Sequence, residues 1–203
     1  MDSDSYLPSL NYLSKAISKF NRDENIGVVE LSNKAPDRGS IVTRCYFNLW
    51  KIIMYNRIKR GKKTTLAGGN ALFLRKAVNE VGGFNRKLHF GDDNELGNRI
   101  VKKGYNVVLY DKPLIHDTMK SFSEFTRKQL WGATTLSKTG FSPLGLSIKE
   151  AFHEQIILGF KGMVRGLFVE KDFSWIVFPL LLSIRMIVYT IFFMFPRIVY
   201  GTK

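Results

Sequence analysis

An apolar segment near the C-terminus, residues 173–195, constrains the fold of this chain more than any other feature. Fourteen of its side chains are Leu, Ile, Val or Phe. Together they favour membrane insertion by about 4–8 kcal/mol, whereas the central Arg185 opposes it by about 3 kcal/mol. The segment is therefore predicted to enter a membrane as a straight crossing, as a span tilted or kinked at Pro179 and Arg185, or as a shallow interfacial hairpin. A core helix of a soluble domain is disfavoured because both faces are apolar.

The rest of the chain has the composition of one globular domain with a strongly basic surface. The 203 residues include 31 Lys and Arg but 17 Asp and Glu, a net charge of +14. This charge attracts phosphates and anionic lipid head groups without distinguishing between them. Cys45 stands alone, which excludes an internal disulfide and predicts a packed small hydrophobe in a reducing compartment. The acidic residues after Met1 predict that there is no signal peptide.

Helical and strand periodicities alternate along the first 140 residues, which predicts a mixed α/β domain. The expected strands are residues 26–31, 71–74 and 106–110, and the expected helices are residues 7–20, 41–63, 76–81 and 96–103. Ser5 is expected to cap the first helix, and a turn is expected around Pro113. A linker at residues 140–145 then separates domain 1–140 from residues 141–203, where an amphipathic helix precedes the apolar segment.

Two consecutive motifs carry the functional information. The stretch GGNALFLRKAVNEVGGF is followed by GDDNELGNRIVKKGY, within residues 65–132. This order of a small-residue strand, an Arg, a GGF turn and an acidic pair resembles the acceptor-side half of family 2 glycosyltransferases. The resemblance implies an incomplete GT-A domain, a Rossmann-like nucleotide-diphospho-sugar transferase fold, followed by a membrane-associated helical segment. It also implies that Gly68, Gly69 and Asn70 contact substrate.

The opening sequence MDSDS resembles the DxD motif of this family. Two carboxylates at i and i+2, here Asp2 and Asp4, can be aimed at Mg²⁺ or Mn²⁺, which neutralises the diphosphate of a nucleotide sugar. The resemblance implies that His116 is a third metal ligand. The alternatives are a solvated acidic chain start and a structural histidine.

Asp92 and Asp93 match the acidic pair of the family, with Asp92 in place of the usual Glu. The resemblance implies that Asp93, or failing that Asp92, is the general base of an inverting transfer. Both could instead complement the dipole at a helix start, a role that is compatible with catalysis. Glu95 and Arg99, spaced i and i+4, are predicted to form an ion pair, either on the surface or in support of the site, rather than to act in catalysis.

Gln129 and Trp131 loosely match the QxxRW motif and are assigned to substrate by this resemblance. The Arg-Trp pair is absent, because the sequence is Leu130-Trp131-Gly132. This departure favours a single-transfer enzyme over a processive one. Packing of Trp131 in the core is the alternative.

The resemblance implies transfer from a nucleotide sugar donor to a hydroxyl of a lipid-linked or polysaccharide acceptor, at the cytoplasmic side of a membrane. It also implies about a hundred residues before the DxD motif that hold the nucleotide, so an upstream segment or a separate chain is expected to supply them. Without them the chain is expected to be inactive alone. The alternative is a non-catalytic basic membrane-surface protein derived from such an enzyme. Nucleic acid is not expected as a partner, since only charge favours it.

Overall fold

The computed structural model of the protein describes residues 4–59, 70–88, 91–139 and 148–194. Four strands form one sheet: β1 (Ser5–Tyr6), β2 (Ile26–Lys34), β3 (Ala71–Phe73) and β4 (Asn106–His116). The helices around the sheet are α1 (Tyr12–Ile17), α2 (Ile41–Lys59), α3 (Arg75–Glu80), α4 (Asp92–Lys102) and α5 (Phe122–Thr139). The C-terminal helices are α6 (Ile148–Phe152), α7 (Leu158–Phe168) and α8 (Phe178–Met194), with a π-helical segment His153–Ile157 and a 3₁₀ segment Phe173–Val177 between them.

The sheet has the strand order β1-β4-β2-β3. The two central strands, β2 and β4, are parallel, and the outer strands β1 and β3 run antiparallel to their neighbours. β2 is buried from Ile26 to Leu31, which explains why this stretch is apolar apart from Glu30. In this topology the carboxyl ends of β2 and β4 and the amino ends of β1 and β3 meet at one edge, called here the carboxyl edge.

The N-terminal helix is shorter than the sequence predicts. Helix α1 begins at Tyr12, and Ser5 lies in β1 opposite His116 rather than capping a helix. The prediction of a helix over residues 7–20 was wrong at its start because Leu7 and Leu10 are exposed, so their helical spacing buries nothing. Ser5 and Tyr6 instead pair with β4, which satisfies the hydrogen-bonding groups of the backbone before Pro8.

Strand β4 extends past the predicted turn at Pro113. Its pairing with β2 shifts register, from Leu31 opposite Tyr110 to Asn33 opposite Leu114. Residues 111–113 therefore bulge opposite a single residue of β2. A proline is tolerated there because a bulge leaves its position without a ladder hydrogen bond. The predicted turn is thus a bulge, and the strand continues to His116.

Helix α4 begins at Asp92, earlier than the predicted residue 96, after Gly91 in a left-handed conformation (φ 72°). Its far end packs tightly on the start of β2, since a Cβ on Gly27 would lie 2.6 Å from Ile100 Cγ2. The chain then turns at Gly104 (φ 109°) into β4. The helix therefore runs against the direction of the central strands, and its first turn is directed towards the carboxyl edge.

The C-terminal helices pack on α2 and α5 through a second core. Three glycines of α7 face large rings: a Cβ on Gly159 would lie 2.2 Å from Phe178, and one on Gly166 would lie 2.0 Å from Trp175. Gly162 lies between them and approaches the same Trp175 ring. The small residues thus admit the aromatic side chains that join α7 to the 3₁₀ segment and to the start of α8.

The apolar segment forms one run of helix. Within the described residues, one helical stretch, Phe173–Phe192, is long and apolar enough to cross a membrane, with a mean hydropathy of 2.0. Pro179 lies in the first turn of α8, where its missing N–H is not needed. The predicted linker at residues 140–145 lies outside the described residues.

Candidate functional site

Polar side chains from all four strands converge at the carboxyl edge. Asp4 precedes β1, Asn33 lies near the end of β2, Asn70 precedes β3 and His116 ends β4. Ser5, the first residue of β1, lies among them and is buried. The convergence follows from the mixed topology, which places the starts of the antiparallel strands beside the ends of the parallel ones.

Asp4 and His116 are in direct contact. His116 Nε2 lies 3.0 Å from Asp4 Oδ1, and the histidine side chain is nearly buried while the aspartate is 40% exposed. The His116 ring packs against Phe47 of α2, with their centroids 5.4 Å apart. Partial burial alone would raise the pKa of Asp4. The attraction of His116 and hydrogen bonds to the carboxylate outweigh burial and hold that pKa below its usual value.

This pair fits a divalent cation. Adjacent ligands of an octahedral ion bound at about 2.1 Å are about 3 Å apart, which matches the separation of the Asp4 and His116 atoms. The partial exposure of Asp4 leaves a route to solvent. Asp2, the other predicted carboxylate, lies outside the described residues, and no group of three or more His, Cys, Asp or Glu within them could hold a metal ion.

The acidic pair lies in the first turn of α4. Asp93 Oδ1 accepts hydrogen bonds from the backbone N–H of Asn94 at 2.8 Å and from its side-chain Nδ2 at 3.2 Å. Gly91 occupies the N-cap position and has no side chain. Asp92 and Asp93 follow it in the first turn, so neither is the N-cap residue. The helix dipole favours negative charge at this position.

An arginine ties the acidic helix to the GGF turn. Arg99 forms a bidentate pair with Glu95, at 2.7 and 2.8 Å. The same guanidinium donates to the carbonyl of Gly83 at 2.6 Å and to that of Val81. The ion pair was predicted from its spacing, but its link to the turn was not. The sequence signal for this link is the dipeptide Gly82-Gly83. Both glycines have positive φ, and their turn leaves backbone carbonyls available to accept hydrogen bonds.

Gln129 and Trp131 lie on different sides of α5. Gln129 is buried and accepts a hydrogen bond at 3.0 Å from Arg185 of α8. Trp131 is 48% exposed, so the alternative that it packs in the core is wrong. Their assignment to substrate remains a prediction.

Arg185, the charge in the apolar segment, contacts side chains of other helices. It also donates to Gln155, and its guanidinium lies 5.9 Å from the ring centroid of Tyr46 and 5.7 Å from that of Phe125. A charge satisfied in this way does not present its full insertion cost to a bilayer. Periodicity alone does not reveal these contacts, because the partners come from helices far away in sequence.

A buried ion pair was also missed. Arg57 of α2 donates to both carboxylate oxygens of Glu154, at 2.8 and 2.6 Å, and both side chains are almost fully buried. In the sequence Arg57 lies close to Lys59 and Arg60, and nothing in this basic run marks it as the residue that is buried. Glu154 lies in the π-helical segment, a local widening often found where a helix accommodates a special contact.

The remaining predicted residues divide between described and undescribed segments. Asn70 is buried, with 2% of its surface exposed. Gly68 and Gly69 lie outside the described residues, as does Asp2. The structure thus brings together Asp4, His116 and Asn70, and it directs Asp92 and Asp93 towards the same edge.

The family model described as Glycosyl transferase family group 2 matches residues 1–201, so the chain belongs to this family. No curated protein sequence matches the chain.

One solved structure with a similar fold is the mannosyltransferase PcManGT from Pyrobaculum calidifontis, in complex with GDP-Man and Mn²⁺. The TM-score is 0.54 at 12% sequence identity, over 93% of this chain. At this identity the likeness concerns the fold alone. The chain spans about 60% of the length of that mannosyltransferase.

Proposed function

We propose that this chain is the acceptor-side part of a metal-assisted glycosyltransferase that uses a nucleotide-diphosphate sugar. The observation that carries the proposal is the contact between Asp4 and His116 at the carboxyl edge. A carboxylate and an imidazole at this separation suit a divalent cation, and the similar mannosyltransferase was solved with GDP-Man and Mn²⁺. Mn²⁺ suits this pair better than Mg²⁺, because imidazole is a better ligand for transition metals.

Asp4, His116 and Asp2 would hold the cation. When bound, the cation would neutralise charge on the diphosphate as it leaves the sugar. The carboxylate of Asp4 is ionised at neutral pH, and its lowered pKa extends the ionised state to more acidic conditions. Its partial exposure, beside a buried His116, leaves one side of the pair open to a ligand.

Asp93 is proposed as the general base. The acceptor hydroxyl oxygen forms a bond to the anomeric carbon as the bond to the diphosphate breaks, and Asp93 takes the hydroxyl proton. Inversion at the anomeric carbon follows from this single displacement. Two features hold the base in place: the hydrogen bonds from Asn94 to Asp93, and the clamp that Arg99 forms on the helix.

The acceptor is proposed to be lipid-linked or part of a surface polymer, and the C-terminal helices are proposed to rest in the cytoplasmic face of a membrane. Their outward faces carry large exposed apolar side chains: Phe160, Val164, Phe168, Val169, Phe173, Ile176, Leu180, Ile187 and Ile191. Lys161, Arg165 and Lys171 are exposed in the same part of the chain, and the net charge of +14 favours anionic lipid. The membrane would thus bring a lipid-linked acceptor to the enzyme.

The direct test is sugar transfer by membranes from source cells that carry a tagged copy of this chain in its natural gene context. The membranes are incubated with Mn²⁺ and a panel of radiolabelled nucleotide sugars. Label should enter the lipid or polymer fraction for one donor, and Asp93→Asn should abolish most of this incorporation. Asp111→Asn, an identical change at an exposed residue of β4, serves as the control. Incorporation that is equal in the Asp93→Asn and control membranes would contradict the proposal.

A further inference from the structure

Asn70 is a buried amide that contacts three strands at the carboxyl edge. Its Nδ2 lies 3.0 Å from Asn33 Oδ1 on β2, 3.3 Å from Ser5 Oγ on β1 and 3.4 Å from His116 Nδ1 on β4. The side chain is only 2% exposed. A group enclosed in this way can orient its neighbours, but it has little surface left to contact a substrate.

The hydrogen-bond network determines which end of the Asn70 amide faces His116. Asn33 donates its own Nδ2 to the carbonyl of Leu31 at 3.4 Å, so Asn33 Oδ1 is the atom that faces Asn70. Because Asn33 Oδ1 only accepts, Asn70 presents its amide nitrogen. The neighbouring His116 Nδ1 is then an acceptor.

The imidazole proton is consequently on the other ring nitrogen. His116 Nε2 carries it and donates to Asp4 Oδ1 at 3.0 Å. Asn70 on one side and Asp4 on the other thus set both the tautomer and the direction of the ring. Phe47 packs against the ring and limits its tilt.

We propose that Asn70 is the positioning residue of the cation site. It aims His116 Nε2 at Asp4, and it provides a hydrogen-bond partner for His116 Nδ1 both with and without the cation. This inference rests on the proposed function, in which Nε2 binds the cation. A metal-bound Nε2 carries no proton, so the single proton of the neutral ring must then reside on Nδ1. Rotation of the Asn70 amide would present Oδ1 to that proton, and Asn33 would then rotate as well and give up its hydrogen bond to the Leu31 carbonyl.

The first measurement concerns the ring itself, in the full chain in detergent with ¹⁵N-labelled histidine. The chain has three histidines, and His116→Gln assigns the signal. The unsubstituted protein should show the Nε2–H tautomer without metal. Asn70→Ala should give a mixture of tautomers, and Asn70→Asp should favour Nδ1–H because a carboxylate only accepts. Asn106→Ala, at the opposite end of β4, should change nothing. An unchanged His116 tautomer in both Asn70 variants would overturn the proposal.

The second measurement is Mn²⁺ affinity, from the free-ion signal in electron paramagnetic resonance. Asn70→Ala should weaken binding by about 10–100-fold, as is usual for residues that orient metal ligands. Thermal unfolding of each variant checks folding, and Asn70→Asp, which keeps the side-chain shape, carries the test if Asn70→Ala does not fold. If Mn²⁺ binding depends on Asp4 and His116 but not on Asn70, the positioning role of Asn70 is overturned and the proposed cation site still stands. Absence of binding combined with a tautomer that responds to Asn70 overturns the metal site but supports the orienting role.

Discussion

Single residues join the sheet domain to the C-terminal helices through polar contacts. Arg57 pairs with Glu154, and Arg185 reaches Gln129 and Gln155. Each contact places a charge where water is scarce, so removing one partner leaves the other uncompensated. Such contacts specify how the two parts of the chain are joined more than they add to stability.

Glu154→Gln should destabilise the protein by about 3–5 kcal/mol, because it leaves the Arg57 charge buried without its counter-ion. Glu170→Gln makes the same change in the exposed pair with Arg165 and should cost less than about 1 kcal/mol. Chemical denaturation in detergent measures both variants. Replacing the pair together, by Arg57→Met and Glu154→Leu, should recover most of the loss. Equal stability of Glu154→Gln and Glu170→Gln would show that the buried pair is not strongly coupled.

Elements whose sequence matches their burial could be predicted, and those that depend on distant partners could not. β2 was predicted because Ile26–Leu31 is an apolar run buried in the sheet, although the strand continues to Lys34. The prediction ended β4 too early because a proline usually ends a strand. In the structure Pro113 lies in a bulge, and this bulge arises only from the pairing with β2.

The candidate site shows the same division. The family resemblance nominated Asp4 and His116, and the paired starts and ends of strands bring them into contact. The buried position of Asn70 and the partners of Arg185 depend on residues about 30–70 positions away in the chain. Short-range patterns contain no information about such contacts, so these roles became visible only in the structure.

At the scale of elements, α7 depends on its glycines. Gly166→Ala would place a methyl group 2.0 Å from Trp175 Cδ1, so the indole or the helix must move. We expect a loss of about 1–3 kcal/mol, as is typical of overpacking. Lys161→Ala on the exposed face of the same helix should be nearly neutral. Thermal unfolding measures both, and Trp175→Phe combined with Gly166→Ala should recover part of the loss. A Gly166→Ala protein as stable as the Lys161→Ala protein would contradict the close packing.

At the scale of the whole molecule, an α/β domain rests on a helical layer whose outer surface is apolar. The stretch Phe173–Phe192 is only 22% buried, although it is the most apolar part of the described chain. The charge within it, Arg185, faces the domain rather than the outside. This distribution is the one expected of a protein that contacts the acyl chains of a bilayer while its polar site remains in water.

Membrane attachment should accordingly resist salt. Washing membranes with about 1 M NaCl shortens the Debye length to about 3 Å and removes electrostatic attraction, but it leaves apolar burial intact. The protein should remain in the pellet after the salt wash and enter the supernatant in mild detergent, as followed by immunoblotting. Release by salt alone would mean that basic residues hold the protein on the surface and that the apolar helices are not inserted.

The central claim assigns Asp4 to the cation and Asp93 to the acceptor proton, and the dependence of rate on cation concentration separates the two roles. In the natural gene context, Asp4→Asn should lower the transfer rate at limiting Mn²⁺ and recover partly as Mn²⁺ is raised, because the variant only weakens cation binding. Asp93→Asn should lower the rate by about 10²–10⁴-fold at every Mn²⁺ concentration, with donor binding retained, because no cation replaces a proton acceptor. Asp111→Asn should follow the unsubstituted enzyme. The decisive measurement is the initial transfer rate against Mn²⁺ concentration for these variants. The predicted result for Asp93→Asn is a loss of rate that is the same at every Mn²⁺ concentration. Near-normal turnover by a folded Asp93→Asn enzyme would contradict the account.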